Sequence, residues 1–286
     1  MNAKINYLIT CATKLVTKDR FHCPSCGSEI TSTIARKYVV TSLKRCGRCE
    51  LLFRAPTTTS AENEAFYQEN YHQGFTSDTP SDEVLRGLMT SNFAGSEKDY
   101  TSYINVLAAL GGKPGDRLLD FGCSWGYGSW QLKKHGYDVV SFEISKPRCR
   151  YAREKLGVAA YDNLDDLKDE GFDIFFSAHV LEHVPAISDV FAFAQKKLKK
   201  GGLFIAFTPN GSEDYRRRQD GAWRQLWGMV HPNFLDDRFY RKAFPNVLLA
   251  SDPYDERGIS EQWVGARSSP ALRLDGVELM AAVKMG

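Results

Sequence analysis

The chain has 286 residues, of which 43% are hydrophobic and 25% charged, and its formal net charge is +2. This composition is that of a globular protein and excludes a mostly disordered chain. The sequence has no apolar run near the ~18 residues that a membrane-spanning helix needs. Its first residues lack the apolar core of a signal peptide, so we expect a cytoplasmic protein.

Charge and cysteines are distributed unevenly along the chain. Residues 1–56 contain ten Lys/Arg and three Asp/Glu, whereas the rest contains 27 and 32, and five of the seven cysteines lie in the first fifty residues. This asymmetry indicates a small basic module in front of a larger acidic domain. We predict an N-terminal segment over 1–56, a linker and helical connection over 57–112, and the main domain over 113–286.

The N-terminal segment contains two C-x2-C pairs with nineteen residues between them. Four thiolates close a tetrahedral structural zinc site, and this spacing is typical of a zinc ribbon. The β-branched residues between the pairs predict a strand hairpin. Disulfides or free thiols are the alternatives, and a cytoplasmic compartment disfavours disulfides. The predicted Zn²⁺ ligands are Cys23, Cys26, Cys46 and Cys49.

The cysteine spacing predicts the metal of this module but not the role of the module. A basic balance is compatible with nucleic-acid contact. However, four thiolates offset part of the charge, and the basic residues are scattered without interleaved aromatic residues. The sequence therefore favours a scaffold or substrate-docking role over nucleic-acid binding.

The connecting segment is polar and rich in turn residues. Phe66, Tyr67 and Tyr71 lie near helical spacing and predict one short helix, and residues 97–110 carry an apolar helical stripe that ends at Gly111.

From residue 117 onward, short apolar runs alternate with amphipathic segments, which predicts a seven-stranded, mostly parallel, doubly wound α/β sheet. In such sheets the ligand lies beyond the carboxyl ends of the strands, near the switch point. The predicted strands are 117–122, 138–144, 157–161, 172–178, 203–208, 246–251 and 276–286.

Small residues follow the first of these strands, and Glu143 ends the second, 23 residues past Asp120. A carboxylate there is suited to accept hydrogen bonds from ribose hydroxyls. The loop is not the G-x-G-x-x-G fingerprint of dinucleotide-binding proteins, because Ser124 and Tyr127 occupy its second and third glycine positions.

Four segments, LLDFGCSWG, FEIS, FSAHVLEHV and KKGGLFIAFTPN, resemble the motifs of class I S-adenosylmethionine-dependent methyltransferases. They occur in the family's order over about 117–210, and the third is similar to the branch that includes ubiquinone-biosynthesis methyltransferases. The pairing with a front zinc ribbon resembles a bacterial group that includes sugar-modifying methyltransferases. One departure is Ser124, where the family usually has glycine.

The resemblance implies S-adenosylmethionine as cofactor. The loop after the first strand and the strand-4 motif would hold its methionine half, and Glu143 would bind the ribose. The cofactor-binding residues that it implies are Asp120, Gly122, Cys123, Ser124, Gly126, Glu143, Ile144, Asp162, Asn163, Ser177, Ala178 and His179.

A hydroxyl acceptor benefits from a general base, and histidine suits neutral pH. His183 and His231 are the catalytic candidates, with His179, Glu182 and Tyr215 as further possibilities. A metal site at His179 and Glu182 is disfavoured, because the sequence identifies no third or fourth ligand.

The insert over 211–235 favours a sugar acceptor, since Arg216–Arg218 are suited to a phosphate and Trp223 and Trp227 to a sugar ring. The alternative is a helix with solvated arginines and core tryptophans. We therefore expect a methyltransferase acting on a hydroxyl of a sugar or glycan precursor. An RNA methyltransferase that uses the ribbon and a non-catalytic binding protein are the alternatives, and the sequence does not define the oligomeric state.

Overall fold

The computed structural model describes residues 3–69, 79–168, 170–228, 231–264 and 272–285. Its strands are β1 Thr31–Lys37, β2 Thr41–Cys46, β3 Leu52–Ala55, β4 Arg117–Phe121, β5 Asp138–Phe142, β6 Ala159–Tyr161, β7 Phe172–Ala178, β8 Leu198–Pro209, β9 Asn233–Phe234, β10 Leu248–Ser251 and β11 Glu278–Met285. Its α-helices are α1 Ala3–Lys14, α2 Ser60–Glu69, α3 Asp82–Thr90, α4 Thr101–Ala109, α5 Tyr127–Lys134, α6 Lys146–Leu156, α7 Ile187–Lys197, α8 Glu213–Arg218, α9 Asp220–Gln225, α10 Asp237–Ala243 and α11 Glu256–Trp263.

The larger sheet has seven strands in the order β10-β11-β8-β7-β4-β5-β6. Strand β11 is antiparallel to both of its neighbours, and the pairings among β4, β5, β6, β7 and β8 are parallel. This is the strand order of the class I methyltransferase fold. The predicted doubly wound α/β sheet is therefore confirmed.

Alternation of side chains explains why this sheet is covered on both faces. Leu119 and Phe175 belong to one buried apolar cluster, whereas their neighbours Leu118 and Phe176 belong to another. Successive side chains of a strand point to opposite faces, so near-continuous apolar runs are what a sheet buried on both sides requires. Helices α4 and α11 contribute to the second cluster, and α7 to the first.

The switch point lies at β4. This strand pairs with β5 on one side and with β7 on the other. The chain therefore adds β5 and β6 on one side of β4 and then returns to add β7 and β8 on the other. The loops that follow these three strands consequently open a crevice between them.

The smaller sheet has four strands in the order β1-β2-β3-β9. The hairpin of β1 and β2 confirms the one predicted between the cysteine pairs. Strand β9 comes from the insert after β8, and it pairs with β3 through Leu52↔Phe234 and Phe53↔Asn233. The division at residue 56 stays a prediction, and this pairing crosses it.

The predicted linker helix corresponds to α2, while Tyr71 lies outside the described residues. The predicted helix over 97–110 corresponds to α4. Within the described part of the chain, no helix has the length and apolar character needed to cross a membrane.

Candidate active site

A cavity of about 700 Å³ opens at the carboxyl ends of β4, β5 and β7. Its volume is within the range of pockets that hold a cofactor or a small ligand. Eight of the sequence-predicted site residues line it: Gly122, Ser124, Glu143, Ile144, Ala178, His179, His183 and His231.

Three residues of the loop after β4, Gly122, Ser124 and Gly126, have a left-handed backbone. Gly122 has φ +92°, and a Cβ there would collide with a methyl carbon of Val180, so a side chain is excluded. Ser124, at the family's glycine position, has φ +52° and keeps the conformation that glycine adopts most readily. Its backbone N–H donates to Glu143 and its hydroxyl accepts from Arg148, each at 2.8 Å.

Glu143 joins this loop to the end of β5. Its carboxylate accepts backbone hydrogen bonds from Ser124 and Ser145, each at 2.8 Å, and the residue is buried at the cavity wall. Burial raises the pKa of Glu143 to about 7, against the lowering effect of these hydrogen bonds and of Arg148. The remaining lone pairs of the carboxylate are suited to accept hydroxyl donors.

Asp120 lies beneath the loop and is not among the cavity-lining residues. Ser129 donates a 2.6 Å hydrogen bond to it and in turn accepts one of 3.0 Å from Ser141. Burial raises the pKa of Asp120 to about 6. In this structure the aspartate is positioned to fix the end of β4 to helix α5 rather than to touch a ligand directly.

Five other predicted cofactor residues also lie away from the cavity wall. Cys123 and Ser177 are buried, and Gly126 packs against Ala152 of α6. Asp162 lies 3.6 Å from Arg153, and Asn163 accepts a hydrogen bond from Asp165 within its own loop. After β6 the wall is formed instead by Leu164, which the sequence reading missed because it is the third residue beyond the strand.

His179, the first residue after β7, belongs to a network that no sequence pattern predicts. Its Nε2 lies 2.5 Å from Glu278, which also accepts 2.6 Å hydrogen bonds from Tyr103 and Tyr254. Burial lowers the pKa of His179, but the carboxylates of Glu182 and Glu278 outweigh it and raise the pKa to about 10. An imidazolium at neutral pH is not suited to remove a proton from an acceptor.

Glu182, His183 and His231 form a second polar group in the lining of the cavity. Nε2 of His183 lies 3.8 Å from Oε1 of Glu182, and the two imidazole rings are 4.7 Å apart between centroids. Burial raises the pKa of Glu182, but the surrounding histidines outweigh it and hold that pKa below its usual range. The structure thus brings together the two catalytic candidates, which are 48 residues apart in sequence.

The position of His231 depends on the smaller sheet. The backbone N–H of Arg54 donates to Pro232 at 2.7 Å, and Asn233 donates to the carbonyl of Val184 at 2.5 Å. Strand β9 follows directly and pairs with β3. The loop that carries His231 is therefore held between the smaller sheet and the turn after β7.

The four predicted zinc ligands lie together at one end of the smaller sheet, with their sulfur atoms within 4.8 Å of one another. The Cys23–Cys49 and Cys26–Cys46 Sγ distances are both 3.5 Å, and the cysteines are not disulfide-bonded. Ligands 2.3 Å from a tetrahedral ion lie about 3.8 Å apart. The cluster is therefore compatible with a zinc ion.

The insert does not form the exposed sugar platform suggested by its sequence. Trp223 and Trp227 are buried, and Trp223 packs on Phe234 and donates to the carbonyl of Gly211. The arginines of α8 pair with acids: Arg216 with Glu213 and Asp220, Arg217 with Asp214, and Arg218 with Asp275. The interpretation as a sugar and phosphate site is wrong, because the tryptophans complete the core beneath β1–β3.

The large sheet has the class I methyltransferase fold, and comparison with known proteins agrees with it. A family described as "Methyltransferase domain" matches residues 119–206, which include most of β4, the loop after it, Glu143 and the turn after β7.

Three curated relatives each match about a third of the chain. The ubiquinone biosynthesis O-methyltransferase of Paramagnetospirillum magneticum is 33% identical over 32% of this chain and 40% of its own length. The cyclopropane-fatty-acyl-phospholipid synthase of Escherichia coli K12 is 34% identical over 34% of this chain and 27% of its own length. The 24-methylenesterol C-methyltransferase 2 of Oryza sativa subsp. japonica is 30% identical over 36% of this chain and 31% of its own length. The chain thus spans less than half the length of these relatives.

Proposed function

We propose that this protein is an S-adenosylmethionine-dependent methyltransferase that methylates a hydroxyl group of a small molecule. The observation that carries the proposal is one cavity with two chemically different walls. Glu143 and the Gly122–Ser124 loop form one wall, and the Glu182–His183–His231 group forms the other.

On the first wall, Glu143 would accept the ribose hydroxyls, and Ile144 would pack on the adenine. Gly122 is needed for this loop conformation, since Val180 fills the space where a Cβ would stand. Asp120 would act on the cofactor through the position of the loop. Ala178 and His179 form the part of the wall beneath the reacting centre.

On the second wall, an acceptor hydroxyl would face His183 and His231. The methyl group of the cofactor is bound to a positively charged sulfur, so alignment with the nucleophile supplies much of the rate. The new C–O bond forms as the C–S bond breaks, and an imidazole accepts the hydroxyl proton. The nearby Glu182 carboxylate would stabilise the resulting imidazolium.

The chemical class of the acceptor is inferred from the apolar lining of the cavity and from the names of the relatives. The apolar residues around the second wall, among them Val190, Phe193 and Leu226, suit an acceptor with an apolar body. The relatives are named for quinone, sterol and fatty-acyl-lipid chemistry. A sugar or glycan precursor, which the sequence favours, loses the support of the buried tryptophans and is retained as one arm of the test.

We also propose that Cys23, Cys26, Cys46 and Cys49 bind one structural Zn²⁺. Four protein ligands leave no open coordination position, so this ion would stabilise the smaller sheet and take no part in the chemistry.

Calorimetry with S-adenosylmethionine on the zinc-loaded protein tests the cofactor assignment. Glu143→Gln should weaken binding about 10–100-fold, because hydrogen bonds to a charged group contribute about 1.5–3 kcal/mol. Glu154→Gln, at an exposed position of α6, is the matched control and should bind like the parent protein. Absence of binding by the intact parent protein would remove the proposal.

The acceptor is then tested by transfer of a labelled methyl group to a panel of phenols, hydroxylated lipids and nucleotide sugars. We expect labelled product with a hydroxyl acceptor and its loss in His183→Ala. Transfer to a carbon or nitrogen acceptor alone would contradict O-methylation and leave the cofactor assignment standing.

A further inference from the structure

We infer that Glu182, His183 and His231 form a binding site for a divalent transition-metal ion, separate from the cysteine cluster. One ligand atom from each residue lies within 4.8 Å of the others. Glu182 and His183 come from the turn after β7, and His231 comes from the insert after β8. The third ligand that the sequence does not identify is thus supplied by the fold.

The state of Glu182 is the first argument for an ion. Its side chain is 1% exposed, yet neither carboxylate oxygen has a hydrogen-bond partner among the described residues. The imidazole nitrogens of His179 and His183 lie 3.6 and 3.8 Å from Oε1, too far for a hydrogen bond. The ion pair with His179 offsets part of the cost of burying this charge, but both carboxylate oxygens keep lone pairs without a hydrogen-bond donor, which a metal ion at this position would fill.

The orientation of His231 is the second argument. Its Nδ1 lies 2.5 Å from the carbonyl oxygen of Leu226, which fixes the proton on Nδ1 and leaves Nε2 with a lone pair. Histidines that bind metals commonly donate their other ring N–H to a backbone carbonyl in this way. His231 is therefore held as a ligand would be before the ion arrives.

The donor set indicates the class of ion. Two imidazoles and one carboxylate suit zinc, iron, cobalt or nickel better than magnesium or calcium, which prefer oxygen ligands. Ligand atoms about 2.0–2.1 Å from a tetrahedral ion lie about 3.4 Å apart. The three side chains thus need to move inward by no more than about 1 Å when the ion binds.

The position of the ion gives it a role that rests on the proposed function. Three protein ligands leave a coordination position open, and all three residues line the cavity. An acceptor hydroxyl bound there would have its pKa lowered by the ion. Its proton would pass to water, and its oxygen would take the methyl group as the C–S bond breaks. His183 and His231 would then act as metal ligands instead of general bases.

Metal analysis tests the site without any assay of activity. Protein dialysed against Zn²⁺ and then freed of unbound ion should hold about two ions per chain, one at the cysteines and one at the new site. Glu182→Gln and His231→Ala should each hold about one. His135→Ala, which removes an exposed histidine at the end of α5, is the control and should hold two.

Cobalt identifies the ligands. Co²⁺ added to protein that holds zinc at the cysteines should give the visible bands of a nitrogen and oxygen site, with no sulfur charge-transfer band. A parent protein that binds one zinc and no Co²⁺, or variants that still hold two ions, would overturn the inference. If Glu182→Gln fails to fold, His231→Ala keeps the test available, because His231 is only partly buried.

The calorimetric test of cofactor binding separates the two proposals. Two ions per chain without S-adenosylmethionine binding would leave the metal site and remove its catalytic role. Cofactor binding with a single zinc per chain would leave the methyltransferase proposal, with an imidazole as the base.

Discussion

The two sheets of this protein are stabilised by different means. In the seven-stranded sheet, alternate residues of the central strands enter large apolar clusters on both faces. One apolar cluster belongs to the smaller sheet, and two tryptophans from the insert complete it. Phe53 and Ala55 of β3 pack instead into a cluster of the large sheet. Four cysteines gather at the end of the smaller sheet. The large sheet buries apolar side chains on both faces, whereas the small one depends on its sulfur cluster, on the insert and on contact with the large sheet.

The contrast shows that the N-terminal segment is closely joined to the His231 side of the cavity. Arg54 donates to the carbonyl oxygens of Gly228 and Pro232, on either side of His231, and Arg45 forms a buried ion pair with Asp236 at 2.6 Å. Asp236 also caps α10 by accepting from the backbone N–H of Phe239. A sheet stabilised by the cysteine cluster thus positions a loop of the candidate active site.

The largest effect is expected from breaking the cysteine cluster. Cys46→Ser removes a fully buried sulfur atom, and structural zinc contributes about 10–16 kcal/mol of apparent binding free energy in zinc-finger peptides. We expect loss of the cysteine-bound zinc, unfolding of β1–β3 and loss of methyl transfer through displacement of His231. Elemental analysis, circular dichroism and the transfer assay measure these three results.

Cys149→Ala is the matched control, because Cys149 is equally buried but lies on α6 of the large sheet. It should keep its zinc. Full methyl transfer by a zinc-free Cys46→Ser protein would show that the two sheets are independent.

A smaller effect is expected at the ion pair between the regions. Arg45→Met leaves Asp236 buried without its cation, and breaking a buried pair in this way costs about 3–5 kcal/mol. Denaturant unfolding measures the cost. Arg257→Met removes an exposed pair with Glu261, and this control should change stability by no more than about 1 kcal/mol. Equal costs for the two variants would mean that Arg45 and Asp236 do not couple the regions.

The smallest expected effect is a change of cofactor affinity with pH, and it involves only Glu143, which follows β5 of the large sheet. Because burial raises the pKa of Glu143 to about 7, only about a tenth of the protein carries its carboxylate at pH 6. Hydroxyl donors of a cofactor favour the ionised form, so affinity for S-adenosylmethionine should rise about five- to tenfold from pH 6 to pH 8. Calorimetry at several pH values measures it, and Glu143→Gln should flatten the profile.

Stability without ligand should change with pH in the opposite direction. The folded protein holds the Glu143 proton more tightly than the unfolded chain, whose glutamates titrate near 4.5. The contribution of this residue to stability is therefore present at low pH and is lost as the pH rises through 7. The melting temperatures of the ligand-free parent protein and of Glu143→Gln are compared between pH 4.5 and pH 7. A melting temperature of the parent protein that rises with pH relative to that of the variant would contradict the raised pKa of Glu143.

Much of the large sheet was predictable from sequence because its signals are local. The apolar runs, the glycines that end helices and the acid after the second strand lie within short segments, and β7 matches the predicted 172–178. The ligand cysteines were equally visible, since their spacing alone carries the information.

The missed features depend on residues far apart in the chain. Strand β9 has two residues and no strand pattern, and it forms only because β3 offers it a partner. The network of His179 and Glu278 joins residues 99 positions apart. The burial of Trp223 and Trp227 follows from the same long-range pairing, so helical spacing could not distinguish a core from a binding platform.

The pairing of β3 with β9 joins the cysteine cluster to the loop of His231, and any coupling between these two sites is thermodynamically reciprocal. If occupancy of the cysteine cluster orders the loop of His231, then whatever orders that loop must tighten the hold of the cysteines on their ion by the same free energy. Release of zinc to a chelator would then report on the occupancy of a cavity to which the cysteines do not belong.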